Sequence, residues 1–198
     1  MMSSPPIESL LHEISACRAC AASLPHEPRP VLTASRSARL LIVGQAPGRR
    51  VHETGIPWND KSGEELRAWL GISGEQFYDA SRVAIVPMGF CYPGKGASGD
   101  LPPRRECAPL WHARLLAAMP EVRLTLLIGR YAQAWYLKKS CKPTLTETVA
   151  AYAEYLPRYL PLPHPSPRNR HWLTIHPWFA ADVLPTLKQR VAAALAQD

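Results

Sequence analysis

The segment PLPHPSPRN, residues 161–169, places polar side chains on a stiff backbone. Pro163, Pro165 and Pro167 alternate with His164 and Ser166. Proline fixes its own φ and drives the preceding residue into extended conformations, so His164 and Ser166 are held in a rigid, extended stretch. An imidazole fixed in advance can stabilise a developing charge without reorganisation, which favours a role in catalysis. A proline-rich surface turn is the alternative that this segment alone leaves open.

A second candidate segment, GQAPGRRVHETGIPWNDKSG, covers residues 44–63. Gly44 and Gly48 allow a sharp turn and close approach to a ligand, and the N–H groups of such a turn can hold an anionic or carbonyl oxygen. Trp58 is either a surface on which a base stacks or a core residue. Asp60 either faces a cleft or merely precedes the cap of a helix.

The composition bounds the class of protein. The chain has 198 residues, of which 46% are hydrophobic and 20% charged, so we expect one globular domain over 1–198. The net charge of +7 suits a polyanionic partner without requiring one. Because the sequence has neither a signal peptide pattern nor an apolar run of about 18 residues, we expect a cytoplasmic protein with no membrane partner. In that compartment five cysteines indicate thiols or metal ligands instead of disulfides.

Short apolar runs alternate with helical patterns along the chain. The predicted strands are 39–43, 82–89, 123–129 and 158–163. The predicted helices are 5–16, 62–71, 104–119, 129–139, 144–156 and 177–197. The pairs Ser62/Glu65 and Thr144/Glu147 have capping-box spacing, Gly71 is a stop, and Pro185 predicts a bend. This alternation predicts an α/β three-layer sandwich, in which helices flank a central, mostly parallel four-stranded sheet.

Both candidate segments follow predicted strands. Ligands of such sheets bind outside the carboxyl ends of the strands. The turn Gly44–Gly48 follows the first strand, and His164 follows the last. The sequence therefore predicts a cleft in which the two segments meet.

Together the two segments resemble the uracil-DNA glycosylase superfamily. GQAPG followed by TGIPW is similar to the first motif of the iron–sulfur family 4 enzymes, and HPSPRN is similar to the second motif of the single-strand-selective glycosylases. The resemblance extends over nearly the whole chain. It implies a monofunctional DNA glycosylase, which hydrolyses the bond between a deaminated base, uracil first, and its sugar during base excision repair.

The resemblance implies roles for individual residues. His164 would donate to the oxyanion of the departing base, and Asp60 would polarise water or balance the cationic sugar, with His52 as second choice. Gln45 is the third candidate catalytic residue. The expected substrate-binding residues are Gly44, Ala46, Pro47, Gly48, Trp58, Ser166, Arg168 and Asn169. Arg49, Arg50, Arg168 and Arg170 are the expected DNA contacts, and we expect a monomer.

Four cysteines extend the resemblance. Cys17 and Cys20 form C-x-x-C, Cys91 follows the second strand, and Cys107 comes 16 positions later. This spacing resembles the 4Fe–4S site of family 4 and implies an iron–sulfur cluster. Zinc bound by four thiolates and unliganded cysteines are the alternatives. Cys141 lies outside the pattern.

Several positions depart from the family pattern. Gln45 replaces the family 4 glutamate, Ala46 stands where the most efficient glycosylases carry a catalytic aspartate, and Pro87 replaces an asparagine that reads the pyrimidine. Asp60 in DKSG is similar to an aspartate of family 5. These departures leave open hypoxanthine or xanthine as the base, or a DNA-binding or damage-sensing protein with weak or no catalysis. A nucleotide-binding metabolic enzyme would explain the glycine turn but neither HPSPRN nor the cysteines.

Overall fold

The computed structural model describes residues 6–97 and 99–196. Its strands are β1 (Leu40–Val43), β2 (Val83–Ile85), β3 (Lys95–Gly96), β4 (Gly99–Asp100), β5 (Leu124–Ile128) and β6 (Tyr159–Leu162). The central sheet has the order β2-β1-β5-β6, and all of its pairs are parallel. The predicted four-stranded α/β fold is confirmed. The strands β3 and β4 form a separate antiparallel hairpin that the sequence did not predict.

Helices cover both faces of this sheet. They are α1 (Ile7–Ser15), α2 (Arg49–Thr54), α3 (Lys61–Leu70), α4 (Gly74–Tyr78), α5 (Cys107–Ala118), α6 (Arg130–Leu137), α7 (Leu145–Ala150), α8 (Arg170–Ile175) and α9 (Leu184–Leu195). Within the described residues, none of them is both long enough and apolar enough to cross a bilayer.

The side chains of β1 divide between two cores, because successive residues of a strand point to opposite faces. Leu41 and Val43 pack into one cluster, whose helical members come from α1, α5 and α6. Leu40 and Ile42 pack into the other, to which α3 and α9 contribute. The strand is therefore buried on both sides, as its continuous apolar run indicates.

The start of α3 corrects the predicted capping box at Ser62 and Glu65. The cap is Asp60, whose Oδ1 accepts a hydrogen bond from the Gly63 N–H at 2.9 Å. Glu65 instead accepts from the Trp69 indole nitrogen at 2.7 Å. The helix begins one residue earlier than predicted, so Asp60 occupies the position from which a carboxylate reaches the third N–H.

Other predicted boundaries were partly right. The capping box of Thr144 and Glu147 is present, and Gly71 ends α3 with a positive φ of 69°. The predicted helix 144–156 is interrupted, because α7 ends at Ala150 and a 3-10 turn follows at Tyr152–Tyr155. The C-terminal segment is a π-helix at Phe179–Val183 before α9, and Pro185 lies in the first turn of α9, where its missing N–H is tolerated. Residues 5 and 197 of the predicted helices lie outside the described residues.

Candidate active site

A cleft of about 460 Å³ opens where β1 and β6 end, at the predicted edge of the sheet. It is lined by Val31, Gly44, Gln45, Ala46, Pro47, Gly48, Val51, Pro57, Trp58, Asp60, Ser62, Ile85, Pro87, Gly99, Asp100, His164, Ser166 and Arg168. The two segments that the sequence singled out therefore meet in one space. Of the predicted catalytic and substrate-binding residues, only Asn169 and the second-choice His52 do not line this cleft.

Glycines fix the position of Trp58 on the wall of the cleft. A Cβ on Gly44 would lie 3.1 Å from the Trp58 ring, and a Cβ on Gly63 would lie 1.8 Å from the Trp58 carbonyl oxygen. Trp58 itself has a φ of 54°, which is unusual for a residue with a side chain. Its half-buried ring packs against the α3–α9 core and also lines the cleft.

The imidazole of His164 lies beside this ring, with 5.4 Å between the ring centroids. Its backbone is anchored from two directions. Asn169 donates its side-chain N–H to the His164 carbonyl at 2.8 Å. The end of β6 is held by Gln133, whose buried amide donates to the carbonyls of Leu162 and Leu127 at 2.9 and 3.3 Å. Asn169 therefore acts on the cleft through His164.

Burial lowers the pKa of His164, while the nearby Asp60 carboxylate opposes that effect. The imidazole is therefore neutral at pH 7, and a neutral ring carries one N–H donor and one acceptor. Asp60 also lines the cleft, and one of its carboxylate oxygens is engaged at the helix cap. Two polar groups from separate segments thus face the same space.

The turn after β1 is tied to the segment after β2. The carbonyls of Gly44 and Gln45 accept from the N–H groups of Met88 and Gly89 at 2.9 and 3.0 Å. The Gln45 side chain donates its amide to the Leu101 carbonyl at 3.1 Å. The amide of Gln45 is thus committed to the protein itself.

Ser166 and Arg168 border the cleft from the HPSPRN segment. The Ser166 hydroxyl accepts from the Arg168 N–H at 3.3 Å and begins the 3-10 turn Pro167–Asn169. Ser166 also lines a neighbouring cleft of about 310 Å³, together with Lys61 and Arg170. The predicted contacts Arg49 and Arg50 are exposed on α2, and Arg49 pairs with Glu53 at 2.9 Å.

His52, the second choice for activating water, does not line the cleft. Its ring stacks on His26 at 5.4 Å and contacts the Tyr92 ring at 6.0 Å. Burial and the neighbouring His26 lower the pKa of His52. The structure therefore separates His52 from His164 and Asp60.

Sequence reasoning missed Asp100 and His112. Asp100 reaches the cleft from the β3–β4 hairpin, whose glycine-rich sequence shows no strand pattern. His112 on α5 is buried, and it donates from Nε2 to the Pro87 carbonyl at 3.0 Å while its Nδ1 accepts from the Tyr136 hydroxyl at 2.8 Å. Burial lowers the pKa of His112 to about 4, so the ring is neutral and fixes Pro87 at the wall of the cleft.

The four cysteines of the pattern line a second, much smaller space, which we call the cysteine cavity. Its free volume is about 10 Å³, and it lies between the end of α1, the segment after β2 and the start of α5. Burial raises the pKa of Cys91 to about 11 and that of Cys107 to about 12, and the other thiols add to both shifts. The Phe90 N–H donates to the Cys107 sulfur at 3.4 Å.

The donors around the cysteine cavity bear on what it could hold. No three His, Cys, Asp or Glu side chains within residues 6–97 and 99–196 are arranged to hold one metal ion. Zinc would require four sulfurs about 2.3 Å from one point. Two lining groups, the Arg104 Nε and the Trp111 Nε1, are buried without a hydrogen-bond partner in the described part of the chain. The sulfides of an iron–sulfur cluster would accept from such donors.

Comparison with known proteins gives two findings. The family model described as "Uracil DNA glycosylase superfamily" matches residues 31–188, which is most of the chain. The fold is similar to a solution NMR structure of a candidate Uracil DNA glycosylase from Methanosarcina acetivorans, with 15% sequence identity and a TM-score of 0.46. That match covers 81% of this chain and 98% of the other.

Proposed function

This chain belongs to the uracil DNA glycosylase superfamily. We propose that it is a monofunctional DNA glycosylase that removes a deaminated base and leaves an abasic site, with uracil as the leading candidate substrate. The observation that carries the proposal is that His164 and Asp60 face one cleft from two separate segments, beside the ring of Trp58. A base swung out of the DNA would enter this cleft.

His164 stabilises the departing base. Cleavage of the glycosidic bond leaves negative charge on the base, and a donor already in place lowers the energy of that state more than that of the bound substrate. The lowered pKa keeps the imidazole neutral, and a neutral ring still carries one N–H that can donate to the base. The anchors Asn169 and Gln133 support this role, because they fix the backbone that carries the ring.

Asp60 balances the positive charge that develops on the sugar. Its carboxylate lies close enough to His164 to influence the pKa of the imidazole, so the two groups act on neighbouring parts of one substrate. One carboxylate oxygen is held by the Gly63 N–H, which orients the group without neutralising it. Trp58 supplies the face on which the base stacks.

The choice of base rests on the wall formed by Pro87. This residue lines the cleft and offers neither an amide side chain nor an N–H, so it cannot pair with a pyrimidine edge as an asparagine would. A purine such as hypoxanthine or xanthine is therefore the second candidate substrate. The Gln45 amide donates to the Leu101 carbonyl, which leaves it less able to select a pyrimidine, so it also favours a broader choice of base.

DNA would run from the cleft into its neighbour. Ser166 lines both spaces, and the neighbouring cleft adds the cations of Lys61 and Arg170. Cations along such a path neutralise phosphates and release counterions, so binding should weaken as salt rises.

The cysteine cavity would hold a 4Fe–4S cluster on Cys17, Cys20, Cys91 and Cys107. A cluster would supply a rigid covalent link between α1, the segment after β2 and α5. The buried donors of Arg104 and Trp111 support this occupant.

The test is single-turnover excision on oligonucleotides that carry uracil, hypoxanthine or xanthine, in single-stranded and duplex form. We expect an alkali-labile abasic site and no strand cleavage by the protein itself. Binding measured between about 50 and 200 mM salt should weaken strongly. Tight, salt-dependent binding with no excision of any base would replace the glycosylase with the damage-sensing alternative.

A further inference from the structure

The turn Gly44–Gly48 has no carboxylate, and a neighbouring hairpin supplies one. Ala46 stands in the turn Gly44–Gly48 and has no side chain that could bind water. Asp100, at the end of the β3–β4 hairpin, faces this turn from outside, because a Cβ on Gly48 would lie 3.4 Å from the Asp100 Oδ2. Both residues line the cleft.

The hairpin also approaches the HPSPRN segment. A Cβ on Gly99 would lie 3.0 Å from the Arg168 Nη1, and Gly99 has a φ of 145°, so a side chain at this position would be both strained and crowded. The hairpin therefore lies close to residues of both cleft-forming segments. This proximity places a carboxylate at the mouth of the cleft, where water has access.

The surroundings of Asp100 suit a group that accepts a proton. Partial burial raises the pKa of Asp100, and the nearby Asp60 carboxylate raises it further. The charges of Arg168 and Lys95 and the hydrogen bond donated by Tyr92 lower the pKa, but burial outweighs them. A carboxylate with a raised pKa is a better base than an ordinary aspartate. Asp60, by contrast, already uses one oxygen to cap α3.

We propose that Asp100 holds the attacking water and accepts its proton. The water oxygen forms a bond to the anomeric carbon, the glycosidic bond breaks, and its electron pair leaves with the base. The proton of the water passes to the Asp100 carboxylate and then to solvent. This assignment rests on the proposed glycosylase function, and it divides the work between Asp100 at the water and Asp60 at the sugar.

The experiment measures the pH dependence of single-turnover excision for the wild type and for Asp100→Asn, Asp100→Glu and Asp60→Asn. In the wild type the rate should rise with pH as Asp100 loses its proton, with a midpoint above the ordinary aspartate value of about 4. Asp100→Asn should lower the rate about 10²-fold and remove this acid limb, with DNA affinity nearly unchanged. Asp100→Glu should recover part of the rate and retain a limb.

Asp182→Asn is the matched control, because Asp182 is exposed and does not line the cleft. If Asp100→Asn excises the base at the wild-type rate, this inference is overturned and the proposed function remains intact. An acid limb that survives in Asp100→Asn but disappears in Asp60→Asn transfers the role to Asp60 and also overturns it. A wild type that excises no base overturns the proposed function, and the inference falls with it.

Discussion

The cleft and the cysteine cavity share a segment of chain but are built in opposite ways. Pro87 lines the cleft, and Gly89–Cys91 line the cysteine cavity. The cleft has about 460 Å³ and charged groups at its mouth, whereas the cysteine cavity has about 10 Å³, room for at most one water. One space has room for a ligand, whereas the other is nearly filled by the side chains that line it.

The difference assigns separate tasks to the two sides of this segment. Groups in the cleft should alter the rate of the reaction and change stability little, since they face solvent or substrate. Substitutions around the cysteine cavity should instead lower stability, since the cavity joins α1, the segment after β2 and α5, which no β-sheet pairing connects. His112 lies between the two, because it binds the Pro87 carbonyl and stacks on Phe90 at 5.8 Å.

The largest effect should come from Cys107→Ser. Loss of one thiolate should abolish the cluster and its absorption, and it should cost most of the folding free energy, because metal binding and folding are coupled. Cys141→Ser is the control, since Cys141 does not line the cysteine cavity. Iron and sulfide content and thermal unfolding measure the result. Equal stability of the two variants would show that the cysteine cavity does not contribute to the stability of the fold.

His164→Ala should lower excision by about 10²–10³-fold, the usual effect of removing one preorganised donor. Unfolding in urea and DNA affinity should stay close to wild type. The penalty should shrink for a halogenated uracil, which leaves as a more stable anion. His171→Ala is the control, because His171 is exposed on α8. A penalty that is the same for all bases would contradict a role at the departing base.

His112 should make the protein sensitive to acid. Its pKa is about 4 in the folded state against 6.5 as a free side chain, so the unfolded chain binds more protons between these values. The free energy of unfolding should therefore be unaffected by His112 above pH 6.5. It should fall as the pH drops toward 4, by up to about 3 kcal/mol. Urea unfolding at pH 7 and pH 4.5 measures this loss. His112→Gln should flatten the dependence, whereas His171→Gln should not.

The parts of this comparison that the sequence predicted are those with a local pattern. The runs at 39–43 and 158–163 are apolar and short, and the glycines and prolines after them break the pattern abruptly, so the strands and the two cleft-forming segments could be located. Cys17 and Cys20 are close in sequence, and their approach to Cys91 and Cys107 followed from a resemblance.

The parts that were missed depend on contacts between distant segments. The β3–β4 hairpin consists of Lys95–Gly96 and Gly99–Asp100, which is too short and too rich in glycine to show alternation. Asp100 therefore could not be assigned to the cleft. His112 sits in an apolar helix, where a buried histidine has no distinct pattern. The cap of α3 was misplaced because Asp60 and Ser62 are both good capping residues.

The cap of α3 gives the smallest expected effect. Asp60 occupies the cap, and the first turn packs so closely on Trp58 that a Cβ on Gly63 would lie 1.8 Å from the Trp58 carbonyl oxygen. Asp60→Ala should lower the free energy of unfolding by about 1 kcal/mol, whereas Asp60→Asn should change it far less, because asparagine caps equally well. Both should slow excision, since both remove the charge. Urea unfolding and single-turnover excision on the same two variants separate the cap from the chemistry, and an Asp60→Asn variant with wild-type rate would leave Asp60 a purely structural residue.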